Sequence, residues 1–350
     1  MWSLVCAGFS RESRPFHLSC AALCAGLMIL GAGCRPSGND ENNVTLLNAS
    51  YDPTRELWKD LNSNFISKFN QEHERTLHIK QSHGGSAPQA RAVIDGLEAD
   101  VVTLAMWSDV DAISKRGLIH PDWEDRLPNR SLPYVSTIVF VVRSGNPLKI
   151  KDWNDLVRED VSVITPNPKT SGNGKLSFLA AWGSVLAAGG IEEDARKFVT
   201  TMYRHVLVMD TGARGSTTTF AQRGMGDVHL TWENEAHLEV EESKGKLEII
   251  YPPVSILAEP YVAVVDSTVD RKKTRAVAEE YLNYLYSPEG QEIIARHFYR
   301  PSDQKILESH RSDFPEMKLF PVTDIVSGWA EAQSKFFAEG GVFDSIYQIP

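Results

Sequence analysis

The chain has 350 residues, 42% hydrophobic and 23% charged, an ordinary globular composition with enough length for one large or two medium domains. A formal net charge of −10 without a Lys/Arg run excludes a nucleic-acid surface, which needs a basic patch to meet phosphates. The four cysteines are Cys6, Cys20, Cys24 and Cys34, so no disulfide framework can form beyond residue 34.

The N-terminal segment carries Arg11 and Arg14, then an apolar run from Leu18 to Leu30, then Gly31-Ala32-Gly33 before Cys34. A charged start, a short apolar middle and a small-residue end predict a secretory signal over 1–34, too short and interrupted for a transmembrane helix. Leu30-Gly31-Ala32-Gly33-Cys34 resembles the lipobox of bacterial lipoproteins, with Gly31 departing from the larger aliphatic residue usual there. That resemblance implies lipidation of Cys34 and a membrane contact made only through the lipid. The polar stretch 35–43 reads as a flexible tether with nothing to pack.

From Val44 short β-rich runs alternate with helical ones, the pattern of an α/β protein with mostly parallel sheets. Val44 to Ala49 is the first expected strand. Asp52-Pro53 follows as a helix start, with Asp52 expected to cap and Leu57, Leu61, Phe65 and Phe69 forming the apolar face. Thr76 to Gln81 and Ala99 to Ala105 are further strands, with helices from Ala87 to Glu98 and Asp109 to Arg116. Tyr134 to Val142 reads as one long strand that carries the chain into a second lobe. There, strands at Val161 to Thr165, Val206 to Met209 and Val228 to Trp232 alternate with helices from Leu176 to Leu186, Glu192 to Tyr203, Thr217 to Arg223 and Glu233 to Ser243. Leu247 to Tyr251 and Tyr261 to Val265 are expected return strands. Thr274 to Tyr286, Pro288 to Phe298 and Ile325 to Ala338 are expected helices, the last closing the chain.

Strand-to-helix junctions recur at Ser50-Tyr51-Asp52, Ser82 to Ser86, Lys169 to Gly174, Asp210 to Ser216 and Thr231-Trp232. A strand that opens straight into a helix leaves backbone N–H groups without intrahelical acceptors, and these attract an anion. Ser171 adds a hydroxyl donor, and Gly172 lets backbone approach a ligand closely. Open α/β sheets bind ligands beyond the carboxyl ends of their strands, where such turns gather. The expected ligand is a small oxyanion, its oxygens met by N–H groups, a serine hydroxyl and an indole N–H without formal positive charge. Taken alone, such a junction is more often a simple cap than a ligand site, and Trp232 more often a core residue than a donor.

Leu46-Leu47-Asn48-Ala49-Ser50-Tyr51-Asp52-Pro53-Thr54-Arg55-Glu56-Leu57 resembles the start of the mature periplasmic sulfate-binding proteins of bacterial ABC transporters. Gln81-Ser82-His83-Gly84-Gly85-Ser86, Ile164-Thr165-Pro166-Asn167-Pro168-Lys169, Gly212-Ala213-Arg214-Gly215-Ser216-Thr217 and Trp232-Glu233-Asn234-Glu235-Ala236 match as well, and the likeness runs from Val44 to the C-terminus. It implies an α/β, two-lobe periplasmic binding protein of the type II kind, each lobe a mostly parallel sheet flanked by helices, joined by a hinge. The expected lobes are 44–133 plus 260–320, and 134–259 plus 321–350. It also implies sulfate held by the backbone N–H groups of Asp52, Ser86, Gly172 and Ala213 and the side chains of Ser171 and Trp232. Asn173 departs from the family's usual glycine but keeps a backbone donor in the site. The implied protein is a cofactor-free periplasmic monomer, anchored through Cys34 where that residue is lipidated, that passes its anion to the permease subunits of an ABC transporter.

The alternatives are a thiosulfate-binding protein of the same system and an enzyme acting on sulfate or phosphate esters. Phosphate binding fits less well, because protonated phosphate wants a carboxylate acceptor, so Asp52, Asp210 and Glu233 must point away from the ligand. For the enzyme, His83 with Ser86 or Ser171 is the available base and nucleophile pair. No Gly-x-Ser-x-Gly elbow, Walker loop or His-Glu-x-x-His helix is present, and the expectation is a protein without catalytic activity.

Overall fold

The computed structural model describes residues 43–347. The expected signal 1–34 with Cys34, and the tether through residue 42, lie outside the described residues.

Two sheets organise the chain. The first is four-stranded, in the order Tyr261–Val264, Val101–Leu104, Asn43–Tyr51, Thr76–Gly84; the last three run parallel and Tyr261–Val264 joins antiparallel. Side chains alternate across it as a pleat requires. Val44, Leu46, Val101, Val262 and Val264 pack with Leu57, Trp58, Leu61 and Phe65 on one face. Ala49, Val102, Leu104 and Ala263 pack with Val110 and Ile113 on the other.

The second sheet is five-stranded, in the order Val206–Val208, Val163–Ile164, Val228–Trp232, Ile138–Arg143, Leu247–Ile250. The first three strands pair in parallel, and Ile138–Arg143 runs antiparallel to both of its neighbours, so Leu247–Ile250 points the same way as the first three. The expectation of a mostly parallel sheet therefore gives way here to a mixed one. The reason is that Ile138–Arg143 enters from the first lobe rather than returning through a helix, so its direction is free of the right-handed crossover rule. Ile138, Phe140 and Val142 face the core that contains the helix Gly172–Ala187. Val139 and Val141 face Phe220 and Ala236 on the other side.

Between the sheets the expected strand from Tyr134 to Val142 is broken. Tyr134–Val135 pairs with Arg300–Pro301, Ser136 bridges Ala258, and only then does Ile138–Arg143 begin. Ser136 and Ala258 exchange both backbone hydrogen bonds at 2.9 Å, so the two crossover segments run side by side. Of the helix expected from Ile325 to Ala338, residues Trp329–Ala332 are α-helical and continue directly as a π-turn Gln333–Phe337; a 3₁₀ turn Val322–Asp324 precedes them and a further helix Val342–Ile346 follows. The segment's apolar residues still find the core: Val326, Trp329, Phe336 and Phe337 join the second-lobe cluster, Phe336 and Phe337 against Phe178, and Phe343 of the following helix meets Phe178 as well.

Candidate functional site

The carboxyl ends of the parallel strands of both sheets converge on one small cavity. Tyr51, Asp52, Pro53, Gly85, Ser86, Ala105, Ser171, Gly172, Asn173, Gly212, Ala213 and Trp232 line it. All seven expected site residues are in that set. The cavity measures ≈ 20 Å³, where one water centre needs roughly 10–15 Å³, the scale of a compact ion.

Each contributor is placed by a helix start. Asp52 opens the 3₁₀ turn Asp52–Thr54. Ser86 is the first residue of Ser86–Ile94, Gly172 the first of Gly172–Ala187, and Ala213 the first of Ala213–Thr217. Trp232 ends its strand and stands immediately before Glu233–Glu242. First-turn N–H groups have no acceptor within their own helix, so these starts bring donors to one point and add the positive ends of peptide dipoles.

Side chains complete the picture. Ser171 caps its helix by accepting the Gly174 N–H on Oγ at 3.4 Å, which leaves its hydroxyl proton free to donate. Gly172 is required by closeness: a Cβ there would stand 2.8 Å from Cβ of Ala105, which belongs to the first lobe. Gly174 is equally constrained, since its Cβ would meet Pro166 O at 2.5 Å. Asn173 turns its amide away from the cavity, donating to Leu230 O at 3.3 Å and accepting from Ser177 Oγ at 3.2 Å. Its side chain thus packs into the second lobe while its backbone stays at the cavity. Ser86 Oγ accepts the Ala105 N–H at 3.0 Å and donates to the buried carboxylate of Asp109, which fixes the first-lobe wall. Trp232 is 1% exposed and its ring meets that of Tyr51 at 5.5 Å between centroids.

Charge is held off the site. Asp52 is the sole carboxylate lining the cavity, and its Oδ1 accepts from Arg55 Nη2 at 2.6 Å. Asp52 was expected to cap a helix with its side chain; the turn has no side-chain cap, and the nearby guanidinium takes the carboxylate instead. Glu233 is fully buried in a two-point contact with Arg300, 2.8 Å at each oxygen, and Asp210 lies outside the lining set. Arg214 pairs with Glu235 at 2.9 Å and Glu56 at 2.7 Å. Burial pushes the Glu235 carboxyl up to about 8 against the pull of Arg214.

His83 does not line the cavity. It sits on the strand Thr76–Gly84 opposite Ser50, and burial lowers its pKa. Ser171 Oγ meets a backbone N–H and Ser86 Oγ meets Asp109, so neither serine is hydrogen-bonded to a histidine. Tyr51, Pro53, Gly85, Ala105 and Gly212 line the cavity without being among the expected site residues, and all but Ala105 sit in or next to the expected junctions. The junction Ala105-Met106 carries no Gly, Ser or Asn to mark it, and its only signal is that a nearly all-apolar strand ends there.

Residues 54–300 match the family described as bacterial extracellular solute-binding protein. The sulfate-binding protein of Salmonella typhimurium is 54% identical over 306 residues, which cover 87% of this chain and 93% of the relative. The thiosulfate-binding protein of Pseudomonas aeruginosa is 47% identical over 321 residues, 91% of this chain and 97% of the relative. Among solved structures, the sulfate-binding protein SubI from Mycobacterium tuberculosis H37Rv superposes with a TM-score of 0.76 at 31% identity, covering 84% of this chain and 99% of its own. A periplasmic thiamin binding protein shares the fold at 18% identity and a TM-score of 0.62. The chain belongs to the bacterial extracellular solute-binding proteins, in the periplasmic binding protein fold, with sulfate- and thiosulfate-binding proteins among its relatives.

Proposed function

We propose that the protein captures one sulfate dianion between its lobes through neutral donors and hands it to the permease of an ABC transporter, without catalysing a reaction on it. The observation that carries this reading is the lining itself: helix-start N–H groups, a serine hydroxyl and an indole, with the one lining carboxylate already paired to Arg55. Sulfate carries no proton at neutral pH and asks only for donors, whereas a singly protonated phosphate also needs an acceptor, and the one lining carboxylate, Asp52, is engaged by Arg55. In this reading Asp52, Ser86, Gly172, Asn173 and Ala213 donate from the backbone and Ser171 and Trp232 from their side chains, and the Asp52 carboxylate, drawn to Arg55, stays turned from the anion. The lobes are 44–133 with 260–320 and 134–259 with 321–350, closing about the paired crossover segments at Ser136 and Ala258. The protein acts as a monomer in the periplasm, held to the membrane by lipid on Cys34; mass spectrometry of the mature N-terminus tests that anchor, and an unmodified start beyond Cys34 rules it out.

Thiosulfate is the second reading, supported by the 47% identity to a thiosulfate-binding protein and by the shared tetrahedral shape and charge of the two anions. Calorimetric titration with sulfate, thiosulfate, molybdate and phosphate separates the choices. Sulfate should bind one per chain and phosphate at least about a hundredfold more weakly, the cost of stranding a proton beside donors at about 3 kcal/mol. Equal affinity for phosphate would remove the donor-only argument. Turnover of a sulfate or phosphate ester would remove the non-catalytic one.

A further inference from the structure

A second cavity of ≈ 350 Å³ lies apart from the oxyanion site and shares no lining residue with it. Its size falls within the range of small-molecule sites, roughly 300–1,000 Å³. Trp107, Glu124 and Arg130 come from the first lobe, Glu259 from the end of a crossover segment, and Trp329 and Glu331 from the C-terminal segment. Three carboxylates thus face one guanidinium, beside two indoles.

The commitments of these charges differ. Arg130 is held by Glu124 at 2.9 Å, and Glu331 accepts from the backbone and hydroxyl of Ser327 at 2.8 and 2.6 Å. Glu259 accepts from Trp329 Nε1 at 3.1 Å and makes no ion pair among the described residues. Burial pushes its carboxyl above the usual range, against that hydrogen bond and the Arg130 charge. A carboxylate can accept several hydrogen bonds, so this one retains capacity toward the cavity.

The wall that carries Arg130 is also strained. Asn129, Arg130 and Ser131 have φ of 53°, 58° and 61°, three consecutive non-glycine residues in the left-handed region. Such a turn crowds each Cβ against the following carbonyl and persists only where its surroundings impose it. Here Ser131 is fully buried and donates to Trp123 O at 2.8 Å, while Arg130 reaches Tyr261 Oη at 3.4 Å. Strain of this kind concentrates at ligand clamps, and nothing in the oxyanion site uses it.

We propose that this cavity is a second ligand site, for a small organic cation bearing an ammonium or guanidinium group, held against Glu259 between Trp107 and Trp329. The cation supplies the counter-charge that the half-buried Glu259 lacks, and indole rings are the strongest aromatic partners for such a group. The excess of carboxylates over Arg130 disfavours an anion of the same size.

Calorimetry of the mature chain with tetramethylammonium and with arginine amide, at fixed ionic strength and with acetate as the anionic control, tests this directly. Saturable binding of at least one cation is expected, weakened about tenfold in Glu259→Gln, the scale of one charge-assisted contact, with unfolding still a single cooperative transition. Trp107→Leu, at a partly buried ring, should weaken it as well and carries the test if Glu259→Gln does not fold. No saturable cation binding overturns the proposal. So does unchanged affinity in both variants, or binding of acetate that is lost in Arg130→Gln.

Discussion

Ser171 receives the Gly174 N–H on its oxygen, so one hydroxyl can serve its helix as acceptor and an anion as donor at the same time. Ser171→Ala should therefore weaken sulfate binding by about 1.5–3 kcal/mol, the range for a hydrogen bond to a charged group. It should lower stability by at most about 1 kcal/mol, because a cap bond at 3.4 Å is long. Unchanged affinity in a titration would remove Ser171 from the site. Trp232 makes a similar double contribution in the proposed site, its ring packed against Tyr51 and its Nε1–H donating to the anion. Trp232→Phe keeps the ring contact and loses the donor, so affinity should fall roughly tenfold while the fold is kept. Normal binding in a variant that melts far below the wild type would assign Trp232 to the core alone. At this scale the sequence is most legible where chemistry demands a particular residue: Ser171, Gly172 and Trp232 announce themselves, whereas Ala105 contributes through position and leaves no chemical mark. Asn173 was legible only as a donor position. That its amide would fold back onto Leu230 O depends on a strand more than fifty residues away in sequence.

Elements were legible where periodicity is sustained and blurred where tertiary pairing decides. The helix Arg55–Glu72 follows Leu57, Leu61, Phe65 and Phe69 at helical spacing, and all four are buried. The C-terminal segment shows the limit. Its apolar residues suit a continuous helix, yet their packing around Phe178 and Trp182 is met by short turns of different pitch. Likewise Tyr134 to Val142 reads as one strand, and only its two separate partners, Arg300–Pro301 and the second sheet, divide it. Arg300 links these elements to the site, because its guanidinium holds the buried Glu233 at the start of the helix that follows Trp232. Removing one partner of such a pair leaves an uncompensated buried charge, so Arg300→Met should cost about 3–5 kcal/mol of stability in denaturant unfolding. Adding Glu233→Gln to that variant should restore a large part of the loss, since the remaining group is then neutral. If the double variant is no more stable than Arg300→Met, the pair is not what stabilises this junction.

At the scale of the whole molecule, the two lobes meet so closely around the cavity that glycine is enforced on both sides. A Cβ on Gly172 would be 2.8 Å from Cβ of Ala105, and one on Gly85 would be 3.2 Å from Thr170 O. Ordinary carbon–carbon contact is about 3.5–4.0 Å, so one methyl at Gly172 must hold the lobes apart by about 1 Å. The same methyl leaves each lobe's own packing untouched and removes a glycine from a helix, which if anything favours folding. Gly172→Ala thus separates closure from stability. Its ligand-free melting temperature should match or exceed that of the wild type, while sulfate affinity falls at least about tenfold, because every hydrogen bond that spans the cavity lengthens together. The stabilisation that saturating sulfate confers on unfolding should shrink in step, following the ratio of ligand to dissociation constant. A variant that binds sulfate as tightly as the wild type would mean that the approach of Gly172 to Ala105 is not needed to hold the anion, and closure would have to be sought elsewhere on the interface.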